Sequence, residues 1–122
     1  MTVTYDRDDD KRRLIIRLAG PFELSAALTL VAHIAADTAW SYRILYDTHE
    51  LTGAPTMIEL QAIIDRVQIL AARKPRGPIA IVSPDPTVYG MAQMYSSRLD
   101  GKVDVTAFRT LDEARAWLDD PV

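Results

Sequence analysis

The sequence predicts an α/β domain with a single-layer, mostly parallel five-stranded sheet, in the element order ββαβαβαβα, with the helices mainly on one face. Short β-prone runs alternate with segments of helical periodicity along the whole chain, a pattern typical of parallel strands joined by helices. The chain has 122 residues, of which 48% are hydrophobic and 25% charged, the composition of a folded globular protein. We therefore expect one domain over residues 1–122.

The chain opens with a predicted hairpin. Thr2 to Tyr5 is short and β-prone, Asp6 to Arg12 forms a polar turn, and Leu14 to Leu18 forms the second strand. Gly20 and Pro21 end that strand. Apolar residues at helical spacing then predict a first helix that reaches about residue 37, namely Leu24, Leu28, Val31 and Ala35.

The middle of the chain predicts a strand, a loop and the clearest helix. Tyr42 to Asp47 forms the third strand and Thr48 to Pro55 the loop after it. Thr56 and Glu59 have the spacing of a capping box at the start of the second helix. The apolar stripe of that helix comprises Met57, Leu60, Ile64, Val67 and Ala71.

The last third repeats the alternation twice. Pro78 to Val82 is a short apolar strand, and Asp85 before Pro86 is a good N-cap for a third helix ending near Arg98. Lys102 to Phe108 forms the fifth strand, and Thr110 with Glu113 repeats the capping-box spacing before the fourth helix.

Three strands carry polar residues on alternate positions. Arg17, Arg43 and Asp104 each point away from the apolar residues beside them. A sheet covered by helices on both faces needs two apolar faces. We therefore expect the helices to crowd one face and leave the other partly open.

Composition argues against several classes of function. A net charge of −3 and a pI near 5.3 provide no basic surface for nucleic acid. The absence of cysteine excludes disulfides, thiol nucleophiles and thiolate metal sites. The acidic segment from Met1 to Asp10 lacks the basic and then apolar pattern of a signal peptide. No apolar run approaches the ~20 residues of a transmembrane helix. We expect a cytoplasmic protein with no cofactor.

Metal and phosphate motifs are incomplete. Asp6, Asp8 and Asp10 match the first ligands of a calcium loop, but Lys11 and Arg17 stand where the glycine and the closing glutamate belong. No glycine pattern of a nucleotide-binding loop is present.

One edge of the predicted sheet collects the candidate binding residues. In open α/β sheets, ligands bind beyond the carboxyl ends of the parallel strands. This rule selects residues 20–22, 47–50, 83–85 and 109–110, and we expect binding at this edge near residues 47–56 and 83–89. The residues we expect to bind a ligand or partner are Asp47, His49, Thr56, Ser83, Asp85 and Tyr89.

Each candidate also has a plain structural interpretation. His49 beside Asp47 and Glu50 has the composition of a general base held by a carboxylate, but a solvated loop histidine fits equally. Thr56 and Asp85 are accounted for as helix caps. Ser83 lacks the G-x-S-x-G context of a hydrolase nucleophile.

Three local features carry a family resemblance over nearly the whole chain. They are the strand ending at Tyr46 and Asp47, the segment from Ser83 to Asp85 leading into Val88 to Ala92, and the closing segment Phe108 to Leu118. With the element order, they resemble STAS-like domains related to bacterial anti-sigma factor antagonists. The resemblance implies a sequential sheet with helices mainly on one side, and a regulatory or ligand-sensing role without catalysis.

The resemblance also implies a place for a phosphorylation switch. In the phosphorylated members, the loop after the third strand ends in an Asp-Ser-Ser-Gly-like motif whose serine accepts phosphate. Here, residues 51–56 have the sequence Leu-Thr-Gly-Ala-Pro-Thr, without a serine. If a hydroxyl replaces it, Thr56 is the candidate, because a helix N-terminus stabilises added negative charge.

Two alternatives to protein-partner binding stay open at this point. Apolar residues on several sides of the second and third helices, among them Ile58, Ile69, Met91 and Tyr95, favour an apolar-ligand groove, a membrane-surface site or a homodimer. An enzyme that uses His49 with Asp47 is the third hypothesis.

Overall fold

The computed structural model describes residues 1–120, which form five strands, four α-helices and one 3₁₀ helix. The strands are β1 (Thr2–Asp8), β2 (Arg13–Gly20), β3 (Arg43–Leu51), β4 (Ile79–Val82) and β5 (Val105–Phe108). The α-helices are α1 (Leu24–Ala35), α2 (Met57–Arg73), α3 (Pro86–Arg98) and α4 (Leu111–Asp119), and the 3₁₀ helix is Thr38–Ser41. The element order is the one that the sequence predicts.

All five strands belong to one sheet in the order β1-β2-β3-β4-β5. β1 pairs antiparallel with β2, and each later strand pairs parallel with the one before it. The predicted fold class is confirmed. Helices α1, α2 and α3 each return the chain to the neighbouring strand position, so the carboxyl ends of β2 to β5 lie side by side at one edge.

The larger core lies between one face of the sheet and helices α1, α2 and α3. Ile16, Ile44 and Ile79 point from adjacent strands into it and are fully buried. Ile34 of α1 and Ile64 of α2 belong to the same core and contribute to it from the helices. Burial of these side chains provides most of the hydrophobic stabilisation.

The opposite face of the sheet carries a second, smaller core under α4. Leu45, Ala80 and Val82 alternate with the residues of the first core and pack against Ala114 and Leu118. Helix α4 packs mainly against the β3 to β5 part of this face, and Asp119 at its end forms an ion pair with Arg13 of β2 at 2.5 Å. On the β1 and β2 part, Arg17 forms an ion pair with Asp6 at 2.6 Å. Three helices on one face and one on the other agree with the polar positions in the sequence.

Several predicted element boundaries are wrong. β1 continues to Asp8, and β3 continues through the predicted loop to Leu51, because Glu50 and Leu51 still pair with β2. β5 begins at Val105, since the backbone N–H groups of Lys102 and Val103 bond to the Leu99 carbonyl in a turn. Helix α1 ends at Ala35, and the 3₁₀ helix that follows was not predicted.

The predicted helix caps are present. The Thr56 side chain and Glu59 form the complete capping box of α2. Asp85 accepts a hydrogen bond from the Val88 N–H at the start of α3. Thr110 accepts from the Glu113 N–H, but its hydroxyl also donates to the Glu113 carboxylate at 2.8 Å, so the second half of this capping box does not form.

Candidate functional site

The candidate residues lie at the edge of the sheet where the parallel strands end. We refer to residues 20–22, 47–56, 83–89 and 109–110 as the strand-end rim. Hydrogen bonds join the strand ends, from the Thr48 hydroxyl to the Val82 carbonyl at 2.7 Å and from the Ser83 N–H to the Phe108 carbonyl at 3.0 Å. Because neighbouring strands are about 4.8 Å apart, the ends of β3, β4 and β5 span about 10 Å. His49 and Asp85 are therefore on the same edge, as the fold predicts.

Asp47 and His49 form a close pair at the end of β3. The Asp47 carboxylate is 2.7 Å from His49 Nδ1 and also accepts a hydrogen bond from the His49 backbone N–H at 3.2 Å. Asp47 is 4% exposed, whereas the His49 side chain is 50% exposed. The β2–β3 register shifts at this point, so β3 has one extra residue. Asp47 thus stabilises an irregularity in the strand and orients His49 toward solvent.

Negative charge surrounds His49. Its hydrogen bond to Asp47 raises the pKa of His49 above its ordinary value, and the charge of Asp47 adds to the shift. Glu50 contributes less, with its carboxylate 3.3 Å from His49 Nε2. These interactions stabilise the imidazolium form of His49 relative to the neutral form.

The neighbouring hydroxyl groups are used in structural bonds. Thr48 donates to β4, and the buried Ser83 hydroxyl accepts from the Asp85 N–H at 3.2 Å. In the part of the chain that the structure describes, neither hydroxyl bonds to His49. The pair provides an oriented acid–base group but no activated nucleophile beside it.

Thr56 and Asp85 hold the beginnings of helices α2 and α3. The Thr56 hydroxyl accepts from the Glu59 N–H at 3.2 Å, and the Glu59 carboxylate accepts from the Thr56 N–H at 2.9 Å. A phosphate on Thr56 would replace this capping bond and lie next to the Glu59 carboxylate, which opposes it electrostatically. Phosphorylation of Thr56 stays a prediction.

The structure adds one pair that the sequence does not indicate. The Arg109 guanidinium at the end of β5 lies 4.7 Å from the centre of the Tyr89 ring on α3. These residues are 20 positions apart, and only the adjacency of β4 and β5 brings them together. Tyr89 was a candidate by its place in α3, but its partner follows from tertiary contact alone.

Helix α2 exposes two isoleucines to solvent. Ile58 is 85% exposed and Ile69 is 55% exposed, and 11 residues, three helical turns, put them on one side of the helix. Neither contributes to the groove predicted between the second and third helices. A homodimer through this surface stays a prediction.

Residues 1–120 contain neither a metal-binding cluster nor a membrane-spanning helix. No group of three or more His, Asp or Glu side chains there is placed to hold a metal ion. None of the helices in this range has the length and apolar character needed to cross a bilayer.

The sequential sheet, with three helices on one face and a polar edge at its strand ends, defines a small class of α/β domains. Comparison with solved structures identifies that class. An anti-sigma factor antagonist from Mycobacterium paratuberculosis matches with a TM-score of 0.63 and 17% identity, over 98% of this chain and 94% of that one. The unphosphorylated anti-sigma factor antagonist SpoIIAA matches with a TM-score of 0.62 and 21% identity, over 99% of both chains.

A third match belongs to a regulatory complex. A chain in the structure of the diguanylate cyclase SiaD with its activator SiaC from Pseudomonas aeruginosa has a TM-score of 0.50 and 13% identity. The match covers 89% of this chain and 93% of that one. No family model and no curated protein matches the sequence. The structural likeness establishes that the chain has the STAS-like fold of the anti-sigma factor antagonists.

Proposed function

We propose that this chain is a non-enzymatic regulatory domain that binds a protein partner through the strand-end rim. Two of the structures that share its fold are anti-sigma factor antagonists, and a third contains a cyclase with its activator. Fold alone does not determine function, so the proposal also depends on the chemistry of the rim.

The observation that carries the proposal is the Tyr89–Arg109 pair beside the charged end of β3. Arg109 is exposed and Tyr89 half-buried, and their stacking holds both in place before any partner arrives. Tyrosine and arginine are enriched among the residues that dominate binding energy at protein interfaces. Glu50 and the adjacent His49 extend the surface with polar, titratable side chains, which favour a polar, specific contact.

A protein-binding role also fits the state of the other rim residues. Thr48, Ser83, Thr56 and Asp85 use their side chains to fix the strand ends and the helix starts. They make the rim rigid, and rigid surfaces lose less entropy on binding. A covalent mechanism through His49 would need a nucleophilic side chain in hydrogen-bond reach, and no hydroxyl of the described residues provides it. The lack of cysteine suits a reducing compartment, and we propose that the domain works in the cytoplasm.

A matched charge reversal tests this proposal. Partners would be captured with the purified chain, identified by mass spectrometry, and the identified protein purified for calorimetry. Arg109→Glu should weaken its binding by about tenfold or more, because the stacked cation is lost. Lys11→Glu makes the same charge change in the β1–β2 turn at the opposite edge of the sheet and should leave the affinity unchanged.

Two results would overturn the proposal. One is equal affinity of the wild-type chain and Arg109→Glu for a partner confirmed with purified components. The other is turnover of a substrate by the purified chain that disappears in His49→Ala, since that result would make the rim an active site.

A further inference from the structure

An apolar cavity lies between the sheet and helices α1, α2 and α3. Its volume is about 120 Å³, and apolar side chains form almost all of its wall. Leu30 of α1, Leu60 of α2 and Met91 of α3 contribute from the three helices, and Ile81 contributes from the sheet. Five further lining residues belong to the strand-end rim, namely Phe22, Thr48, Leu51, Pro55 and Val88. The cavity therefore begins at the rim and extends under the helices.

Three lining residues carry hydroxyl groups, namely Tyr46, Thr48 and Tyr95, and the Thr48 hydroxyl is used in its bond to the Val82 carbonyl. Tyr46 reaches the cavity from β3 and Tyr95 from α3. The Tyr46 hydroxyl accepts a hydrogen bond from Arg76 at 3.2 Å, so its own proton remains available to donate. The Tyr95 hydroxyl has no hydrogen-bond partner among residues 1–120, and burial raises the pKa of Tyr95, which keeps it a neutral donor.

Arg76, the hydrogen-bond partner of Tyr46, places a positive charge beside the cavity. Its guanidinium lies 4.1 Å from the centre of the Trp40 ring and donates to the Trp40 carbonyl at 3.1 Å. No carboxylate of the described residues pairs with it. The positive charge behind Tyr46 opposes a cationic ligand and strengthens Tyr46 as a donor. An accepting oxygen is therefore favoured over an amine.

We propose that this cavity binds a compact, uncharged apolar molecule that carries one hydrogen-bond-accepting oxygen, oriented by Tyr46 and Tyr95. An engineered apolar cavity of about 150 Å³ in another protein holds benzene, so a cavity slightly smaller suits about six heavy atoms. Apolar walls with a few converging polar groups are the usual composition of small-molecule sites. This inference does not depend on the proposed protein partner.

Two probes of the same shape separate the contribution of the apolar wall to binding from that of the tyrosine hydroxyls. Cyclopentanone carries the accepting oxygen, and methylenecyclopentane replaces that oxygen with a CH₂ group. Binding of each to the full chain is followed by amide NMR titration, which also locates the site. Tyr95→Phe removes one hydroxyl from the cavity, and Tyr5→Phe makes the same change on β1, outside it.

We expect both probes to shift the amide signals of cavity residues in a saturable way. Tyr95→Phe should weaken cyclopentanone about two- to tenfold, the range of one net hydrogen bond, and leave methylenecyclopentane unaffected. Tyr5→Phe should change neither affinity. Ala92→Leu, which fills the cavity, should abolish binding of both probes.

Three results would overturn the inference. The first is that neither probe binds saturably. The second is that amide signals shift only for residues outside the cavity. The third is that Tyr95→Phe changes the affinity of both probes equally. The last result would indicate that the cavity accepts any apolar group, such as a side chain of a partner. If Tyr95→Phe does not fold, Tyr46→Phe is compared with Tyr5→Phe by the same titrations, and an equal effect on both probes again refutes the inference.

Discussion

Replacing Asp47 with asparagine tests how the end of β3 is held. The change keeps the size of the side chain and its accepting oxygen but removes the negative charge 2.7 Å from His49 Nδ1. The hydrogen bond to this carboxylate is the largest cause of the raised pKa of His49. We therefore expect the pKa of His49 to fall toward its ordinary value in Asp47→Asn.

The effect on stability depends on pH with a definite sign. Because the folded pKa of His49 is raised, its interaction with Asp47 contributes fully below the unfolded pKa of about 6.5 and is lost as pH rises through the folded pKa. His49 is half-exposed, and solvent screening limits such pairs to about 1 kcal/mol. Asp47→Asn should thus lower the unfolding free energy by up to about 1 kcal/mol near pH 5.5, or about 4 °C in Tm. The loss should be smaller near pH 9.

NMR titration of the two histidines and thermal unfolding at both pH values provide the assay, with His33 on α1 as the reference signal. Glu50→Gln is the control, because it removes the same charge from the more distant and exposed neighbour of His49. It should shift the titration of His49 less than Asp47→Asn does. An unchanged titration of His49 in Asp47→Asn, or a stability loss that is equal at both pH values, would refute the reasoning.

Three further changes test the fold, each by urea-induced unfolding. A Cβ at Gly77 would clash with the Tyr42 carbonyl oxygen, so Gly77→Ala should lower the free energy of unfolding by about 1–3 kcal/mol. Gly90 lies in open space on α3, so Gly90→Ala should raise the free energy of unfolding by about 0.5–1 kcal/mol. A loss of stability at both sites, or at neither, contradicts this prediction. Leu118→Ala should cost about 2–5 kcal/mol by emptying the core under α4, and a loss below about 1 kcal/mol would mean that α4 is not packed there. Thr56→Ala should cost about 1 kcal/mol through loss of the capping box while Thr56→Ser stays near wild type, and equal effects of the two would exclude capping as the cause.

The helix starts show what local sequence determines. Thr56 and Asp85 cap helices in the structure because the capping bond joins residues only three apart, and no distant residue is needed to form it. Alternation of apolar and polar residues likewise identifies the strands, since side chains on a strand point to opposite faces in turn. The sequential sheet follows from these elements and the handedness of their connections.

The end of β3 shows where local reasoning stops. The segment from Thr48 to Leu51 has the composition of a loop, yet it continues as a strand because β2 provides pairing partners for Glu50 and Leu51. The extra residue at this point turns His49 outward, and its hydrogen bond to the buried Asp47 holds it there. Neither result follows from residue type alone.

The sequence by itself determined the order of the elements and the helix caps, and it predicts the edge at which a binding site should lie. Only the tertiary structure decided the Tyr89–Arg109 pair, the cavity with Tyr46 and Tyr95, and the position of Arg76 behind it. The physical reason is the range of the interactions. Periodicity and capping act within a few residues, whereas these contacts join side chains that are 20 to 49 positions apart and become neighbours when the sheet assembles.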